Sequence, residues 1–253
     1  MGDKEIYQEE VLVGLDTADY LRQRTNPRPG DPLYLHLSDL KLALNPIFPT
    51  VKGRVLDFGC GGSPYREFFK NCEYHRADFP GIPDLDFEYG EDSVVPVADA
   101  SYDFVISTQV LEHVRIPSRY LKEAFRVLRP KGKIILTTHG FFEEHGAPYD
   151  YHRWTAGGLS EELKSAGFEV ESVLKLTTGP RALLFLWRRF QHLLRTNSAP
   201  ASFPLSIAKR LLRLDIPGVD RFCDNRFQQN RAADGGDIGH NLYIALLIVA
   251  HRP

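Results

Sequence analysis

Apolar residues along this chain follow two rhythms. The first is the short unbroken run that marks a strand buried on both faces. Arg54-Val55-Leu56-Asp57-Phe58, Tyr102-Asp103-Phe104-Val105-Ile106-Ser107 and Lys133-Ile134-Ile135-Leu136-Thr137-Thr138 are of this kind. Glu73–Asp78 and Pro83–Phe87 are weaker versions. The second rhythm is helical. Leu33, Leu37, Leu40 and Leu44 line one face of a helix that Pro46 must stop, with Asn26–Pro32 as a turn before it. A helix is predicted from Pro117 to Leu128, ended by Arg129-Pro130-Lys131-Gly132, and another from the N-cap Thr155 through Leu163. Strands alternating with helices over 53–138 predict a parallel sheet with helices on both faces.

The first strong strand breaks into Gly59-Cys60-Gly61-Gly62-Ser63-Pro64. The glycines permit a tight turn and close approach of backbone to a ligand. Ser63 and Pro64 suit an N-cap and a first helical position, so a helix through Phe69 is predicted. Strand, glycine turn and helix start are how α/β sheets hold nucleotide-like cofactors. The spacing is not that of a dinucleotide site, because Pro64 stands where a third glycine belongs, and no phosphate loop exists. Asp57, two residues before the first glycine, would repel a pyrophosphate and suit a ligand carrying an ammonium group. A tight turn without a ligand fits equally well. Asp78 ends the second predicted strand, one helix and one strand after Asp57. An acid there can accept from both ribose hydroxyls, or it is a surface aspartate before the Phe-Pro-Gly turn.

Composition changes this picture little. With 43% hydrophobic and 25% charged residues and a net charge of −2, the chain reads as an ordinary soluble α/β domain. Cys60, Cys72 and Cys223 match no metal or disulfide framework, and the N-terminus has no apolar signal region, so a reducing cytoplasmic setting is expected. Cys60 reads as a small packing residue of the turn. Charge is uneven: residues 180–231 carry ten basic and three acidic side chains.

Val55-Leu56-Asp57-Phe58-Gly59-Cys60-Gly61, then Asp78, Ser101–Val105, Gln109-Val110-Leu111-Glu112-His113-Val114 and Arg126–Gly132 resemble, in this order, a class I S-adenosylmethionine-dependent methyltransferase of the broad small-molecule and glycan group. The resemblance covers about 53–176 and a last strand near 241–250. It implies a Rossmann-like α/β fold, with a seven-stranded, mostly parallel sheet whose last strand is antiparallel. A helical cap (1–50) would precede the methyltransferase domain (51–253), and a helical insertion (177–239) would interrupt it. By the resemblance, Asp57, Gly59, Cys60 and Gly61 hold the methionine end of S-adenosyl-L-methionine and Asp78 takes the ribose. Glu91 or Asp92 faces the adenine amino group, and Gln109 lines the methionine side.

The acceptor side is expected at the carboxyl ends of the strands, where 139–155 is dense in His, Tyr, Arg and Trp. His139, one residue past the fifth predicted strand, is the expected general base, with His113 and His152 as alternatives. Tyr34, Tyr151, Arg153 and Trp154 are candidate acceptor contacts. Tyr34 and His36 read first as ordinary helix surface, and Arg153 and Trp154 also read as packing of the loop onto the sheet. His139, His145, Asp150 and His152 match no standard ligand spacing, so no metal is expected. In the insertion, Arg181–Arg195 is predicted helical, with Leu183, Leu186, Trp187, Phe190 and Leu194 on its core face and Arg181, Arg188, His192 and Arg195 outside. Leu205–Leu214 is predicted as a second helix. These helices would cap the pocket, meet an anionic membrane through 180–213, or bind a phosphate-bearing substrate.

The sequence therefore predicts methyl transfer to a small-molecule or sugar acceptor, at oxygen, by in-line displacement with a general base. The alternatives are a macromolecular or lipid-linked anionic substrate docked by the insertion, and a catalytically silent cofactor-binding partner. Nucleic acid is disfavoured because Thr108-Gln109-Val110-Leu111 replaces the Pro-Pro-Tyr type of segment; a homodimer is allowed.

Overall fold

The computed structural model describes residues 18–146, 149–196 and 216–253. Eight strands form one sheet: β1 (Arg54–Phe58), β2 (Glu73–Asp78), β3 (Phe87–Glu88), β4 (Tyr102–Thr108), β5 (Leu128–His139), β6 (Glu169–Thr178), β7 (Ala232–Asp234) and β8 (Tyr243–His251). Their order is β3-β2-β1-β4-β5-β8-β6-β7. β1 to β5 are parallel, and β8 runs antiparallel between β5 and β6. The Rossmann-like class, the mostly parallel sheet and the antiparallel last strand are as predicted. The eighth strand is β7, whose three residues pair with Leu174–Leu176 at the sheet edge, just before the Asp234–Asp237 turn.

The helices are α1 (Ala18–Thr25), α2 (Tyr34–Leu44), α3 (Pro117–Val127), α4 (Ala156–Ser165), α5 (Gly179–Thr196) and α6 (Ile216–Arg226). One face of the sheet is covered by α3 and α4, through Tyr120, Leu121, Ala124, Val127, Leu159 and Leu163. The other is covered by α2, whose Leu37, Leu40 and Leu44 pack on Val55, Ile106, Ile135 and Leu247. Polar residues of α2 are buried too: His36, Ser38 and Asp39 lie inside with Leu35, Leu37, Leu40 and Leu44, while Leu42 is exposed. The reading of Tyr34 and His36 as helix surface is corrected here, because α5 and α6 pack against a second side of α2.

Four charges explain that burial. Asp39 accepts from Arg181 (2.6 Å) and Arg231 (2.8 Å), and Asp224 accepts from the same two arginines (2.9 and 2.6 Å). The ring alternates in sign, and Thr177 and Tyr34 hydroxyls donate to it. Arg188 is likewise buried, on Asp220. The predicted faces of α5 are therefore reversed at Arg181, Leu183, Arg188 and Phe190, while Leu186 packs inward as expected. Arg181, Ala182, Phe185 and Arg188 face inward, while Leu183 and Phe190 are exposed. Burying a charge is tolerated only when it is paired and hydrogen-bonded, and three aspartates on other elements meet that condition. The predicted helix Leu205–Leu214 lies outside the described residues.

Thr155 is the N-cap of α4, its hydroxyl accepting from Gly158 N–H at 3.0 Å. Thr155→Ala is expected to cost about 1 kcal/mol, read as a lower midpoint with unchanged slope in urea unfolding.

Candidate functional site

Gly59, Asp78, Gln109 and His139 stand at the carboxyl ends of β1, β2, β4 and β5, on both sides of the point where the strand order reverses. That is where open α/β sheets bind ligands. The β1 turn is held from behind. Gly59 N–H and Cys60 N–H donate to the Ala77 carbonyl. Gly59 has φ +75°, and a Cβ there would lie 2.4 Å from a Val110 methyl, so both backbone and packing require glycine. Arg76, buried, donates to Gly61 O (2.9 Å), Ser63 Oγ (2.7 Å), and the Pro83 and Asp84 carbonyls. Ser63 is thus an acceptor for Arg76 and not an N-cap. The predicted helix is a single 3₁₀ turn, Arg66–Phe69, because β2 begins at Glu73 and leaves no length for more.

Asp57 is 5% exposed, accepts from the Tyr74 hydroxyl, and has its carboxyl pushed up to about 7 by burial. A buried carboxylate with one neutral donor is a good partner for a ligand cation. Asp78 accepts from Gly61 N–H (2.6 Å) and Phe79 N–H (2.7 Å), one on each oxygen, so a second lone pair on each stays available for hydroxyls. The half-exposed Phe79 ring beside it, 5.1 Å from Tyr89, offers a flat apolar surface that the sequence reading missed. Cys60 is buried and its thiol pushed well up by burial, as a packing residue would be. Glu91 and Asp92 lie on an exposed loop; Glu91 is 3.7 Å from Arg115, and Asp92 accepts from Val94 N–H.

Gln109 is buried with φ +58°. Its amide donates to Thr137 Oγ1 (3.3 Å) and its oxygen lies 3.3 Å from His36 Nε2. His36 therefore reaches the site from α2, which corrects its reading as helix surface. Tyr34 does not reach it as a free contact, because its hydroxyl donates to Asp224.

His139 is 3% exposed and stacked on Phe142 (centroids 3.9 Å apart). Its Nε2 is 3.2 Å from Glu112 Oε1, and its Nδ1 is buried without a partner. Burial drives the imidazole well below its ordinary range and the Glu112 carboxyl above its own, so His139 is neutral. Glu112 was not foreseen; its only signal is an acid between two apolar residues and a histidine directly after the fourth strand. Of the alternatives, His113 is turned toward Tyr149 O and Glu112, and His152 lies between Tyr151 and Trp154 with Nε2 buried.

The loop after β5 is tied down by the residues proposed as acceptor contacts. Arg153 donates to both Asp150 oxygens and to the Phe142, Glu143 and His152 carbonyls, which leaves it a clamp within the loop. Trp154 packs on the core, its backbone N–H donating to His139 O. Tyr151 alone is open, with its backbone on Glu112 O. Arg189 of α5 pairs with Glu143, so the insertion is fastened to this loop. Among the described residues, Glu112, His113 and His145 are grouped closely enough to share a metal ion.

The family model described as a methyltransferase domain matches residues 33–173. A probable S-adenosylmethionine-dependent methyltransferase of Mycolicibacterium smegmatis is 34% identical over 142 residues, covering 49% of this chain and 55% of the relative. The bovine mitochondrial ubiquinone biosynthesis O-methyltransferase is 25% identical over 199 residues, covering 60% and 54%. The chain thus spans about half the length of these curated relatives. A SAM-dependent methyltransferase of Thermotoga maritima superposes with a TM-score of 0.55 at 14% identity, over 98% of this chain and 99% of that one. At that identity the likeness speaks for the fold. No helix among the described residues is long and apolar enough to cross a membrane.

Proposed function

Since this chain belongs to the methyltransferase domain family, we propose that it transfers the methyl group of S-adenosylmethionine to a hydroxyl of a small molecule or sugar. The observation that carries the oxygen assignment is His139, a neutral imidazole at the end of β5 with a buried carboxylate 3.2 Å from Nε2. The cofactor supplies an electrophilic methyl group. Asp57 receives the ammonium of its methionine end, and Asp78 accepts from its ribose hydroxyls. Gln109 and His36 wall the methionine side. Nδ1 of His139, the nitrogen without a partner, takes the acceptor's proton as the carbon–oxygen bond forms and the methyl–sulfur bond breaks, while Nε2–H faces Glu112, which stabilises the imidazolium. Alignment of hydroxyl and methyl group in a dry pocket gives most of the acceleration, with the base adding less.

A docked macromolecule or anionic lipid is less well supported. Arg181, Arg188, Arg189 and Arg231 of the basic stretch are all paired inside the protein.

An acceptor panel with methyl-labelled cofactor tests the reading. The label is expected on oxygen of a hydroxylated small molecule or sugar. Label on nitrogen or carbon, or on protein or nucleic acid alone, sinks it.

A further inference from the structure

We propose that Glu112, His113 and His145 form a divalent metal site of two histidines and one carboxylate, taking a borderline cation of the Zn²⁺ type, beside His139 and independent of the acceptor's identity. One ligating atom from each lies within 4.8 Å of the others. Donors around Zn²⁺ at about 2.1 Å stand roughly 3.4 Å apart in a tetrahedron. Closing the group onto an ion thus asks for movements of roughly an ångström, within reach of a loop histidine's side-chain torsions.

Proximity would mean little without the proton positions. Nδ1 of His113 lies 2.6 Å from the Tyr149 carbonyl oxygen, which can only accept. Nδ1–H is therefore the donor, and the lone pair is on Nε2, the nitrogen 4.0 Å from Glu112 Oε1. His145 repeats the arrangement: its Nδ1 is 3.2 Å from the Glu143 carbonyl oxygen and 3.3 Å from Asp150 Oδ2. Both rings are fixed in the tautomer that presents Nε2 as a ligand, each by a backbone carbonyl and one by a carboxylate as well. Partners of this kind orient metal-binding histidines.

Glu112 supplies the independent observation. It is 0% exposed; Oε2 accepts from Thr138 at 2.7 Å, while Oε1 is buried with no well-aligned donor. Leaving a buried carboxylate oxygen unsatisfied is costly. The oxygen has two lone pairs, so an ion on one leaves the other for His139 Nε2. Two imidazoles and one carboxylate suit Zn²⁺ and its neighbours better than Mg²⁺ or Ca²⁺, which prefer oxygen. The side chain of His145 is 32% exposed, which gives the ion an entry path. Once bound, the ion would join the loop after β5 to the turn after β4 and fix the wall around His139.

The test uses protein stripped with EDTA and dialysed against ZnCl₂ at one fixed pH, with bound metal counted by plasma mass spectrometry. One zinc per chain is expected at micromolar free metal. His145→Ala should weaken binding at least tenfold while melting like the wild type, since its side chain is partly exposed on a loop. Co²⁺ in place of Zn²⁺ should give visible absorption bands that His145→Ala removes. Glu112→Gln should also weaken zinc binding at least tenfold; should it fail to fold, His145→Ala alone decides. No stoichiometric zinc in the wild type overturns the site. So does zinc that His145→Ala holds as tightly, since that metal would lie on cysteines or other histidines.

Discussion

Asparagine in place of Asp57 is expected to weaken S-adenosylmethionine binding by about 2–5 kcal/mol, thirtyfold to several-thousandfold, at pH 7. The substitution keeps the shape and the Tyr74 contact but removes the charge that faces the cofactor's ammonium. A pH signature separates this from loss of packing. Burial holds the free protein's Asp57 at about 7, and only the ionised form pairs with the ammonium. The dissociation constant of the wild type should therefore rise about tenfold per pH unit as pH falls below 7. It should level off from about 7 until the ligand's own α-amino group, ordinarily near 7.7–8.0, begins to lose its proton. The carboxamide of Asp57→Asn has nothing to titrate, so the variant's affinity should be flat from pH 5.5 to 7. Calorimetry at four pH values measures both. Equal slopes in the two proteins would remove Asp57 from the ammonium site.

Alanine in place of His139 is expected to lower kcat by 10²–10⁴-fold with cofactor affinity unchanged within about twofold. A buried histidine stacked on Phe142 also shapes the pocket, so truncation alone is ambiguous. His139→Gln keeps most of the volume and removes the base, and should be nearly as slow. An acceptor whose hydroxyl is already acidic needs a base least, so it should lose least in either variant. Single-turnover rates with a saturating acceptor and a nitrophenol-like analogue read this directly. Full activity of the glutamine variant would remove His139 from proton transfer.

The fold was legible where local pattern and packing agree. β1, β2, β4 and β5 lie within a residue or two of their predicted ends, apart from the early start of β5 at Leu128, and Thr155 caps α4 as expected. Asp57, Gly59, Asp78, Gln109 and His139 come together because strand ends in a parallel sheet share one edge. What failed needed partners distant in sequence. Arg181 and Arg188 look like solvent-facing cations until Asp39, Asp224 and Asp220 meet them. Arg153 looks like a substrate contact until Asp150 and three carbonyls take its donors. His36 sits on a helix whose leucine spacing suggests one buried face, and only α5 and α6, packed on the other, bring it to Gln109. Glu112 carried little signal, since an acid after a strand is usually solvated.

The ring of Asp39, Arg181, Asp224 and Arg231 also sets a timetable for synthesis. Asp39 and Arg181 are 142 positions apart, and Asp39 and Arg231 are 192 apart. At about 5–20 residues per second, a ribosome needs roughly 7–28 s to deliver Arg181 after Asp39, and longer for Arg231. During that interval the leucines of α2 can cover only the strands already made, without Leu247 of β8, and its aspartate has no counter-charge. The nascent chain is then a ready client for chaperones that bind short apolar helices, and slowed translation between residues 44 and 181 should raise aggregation more than an equal pause after 231.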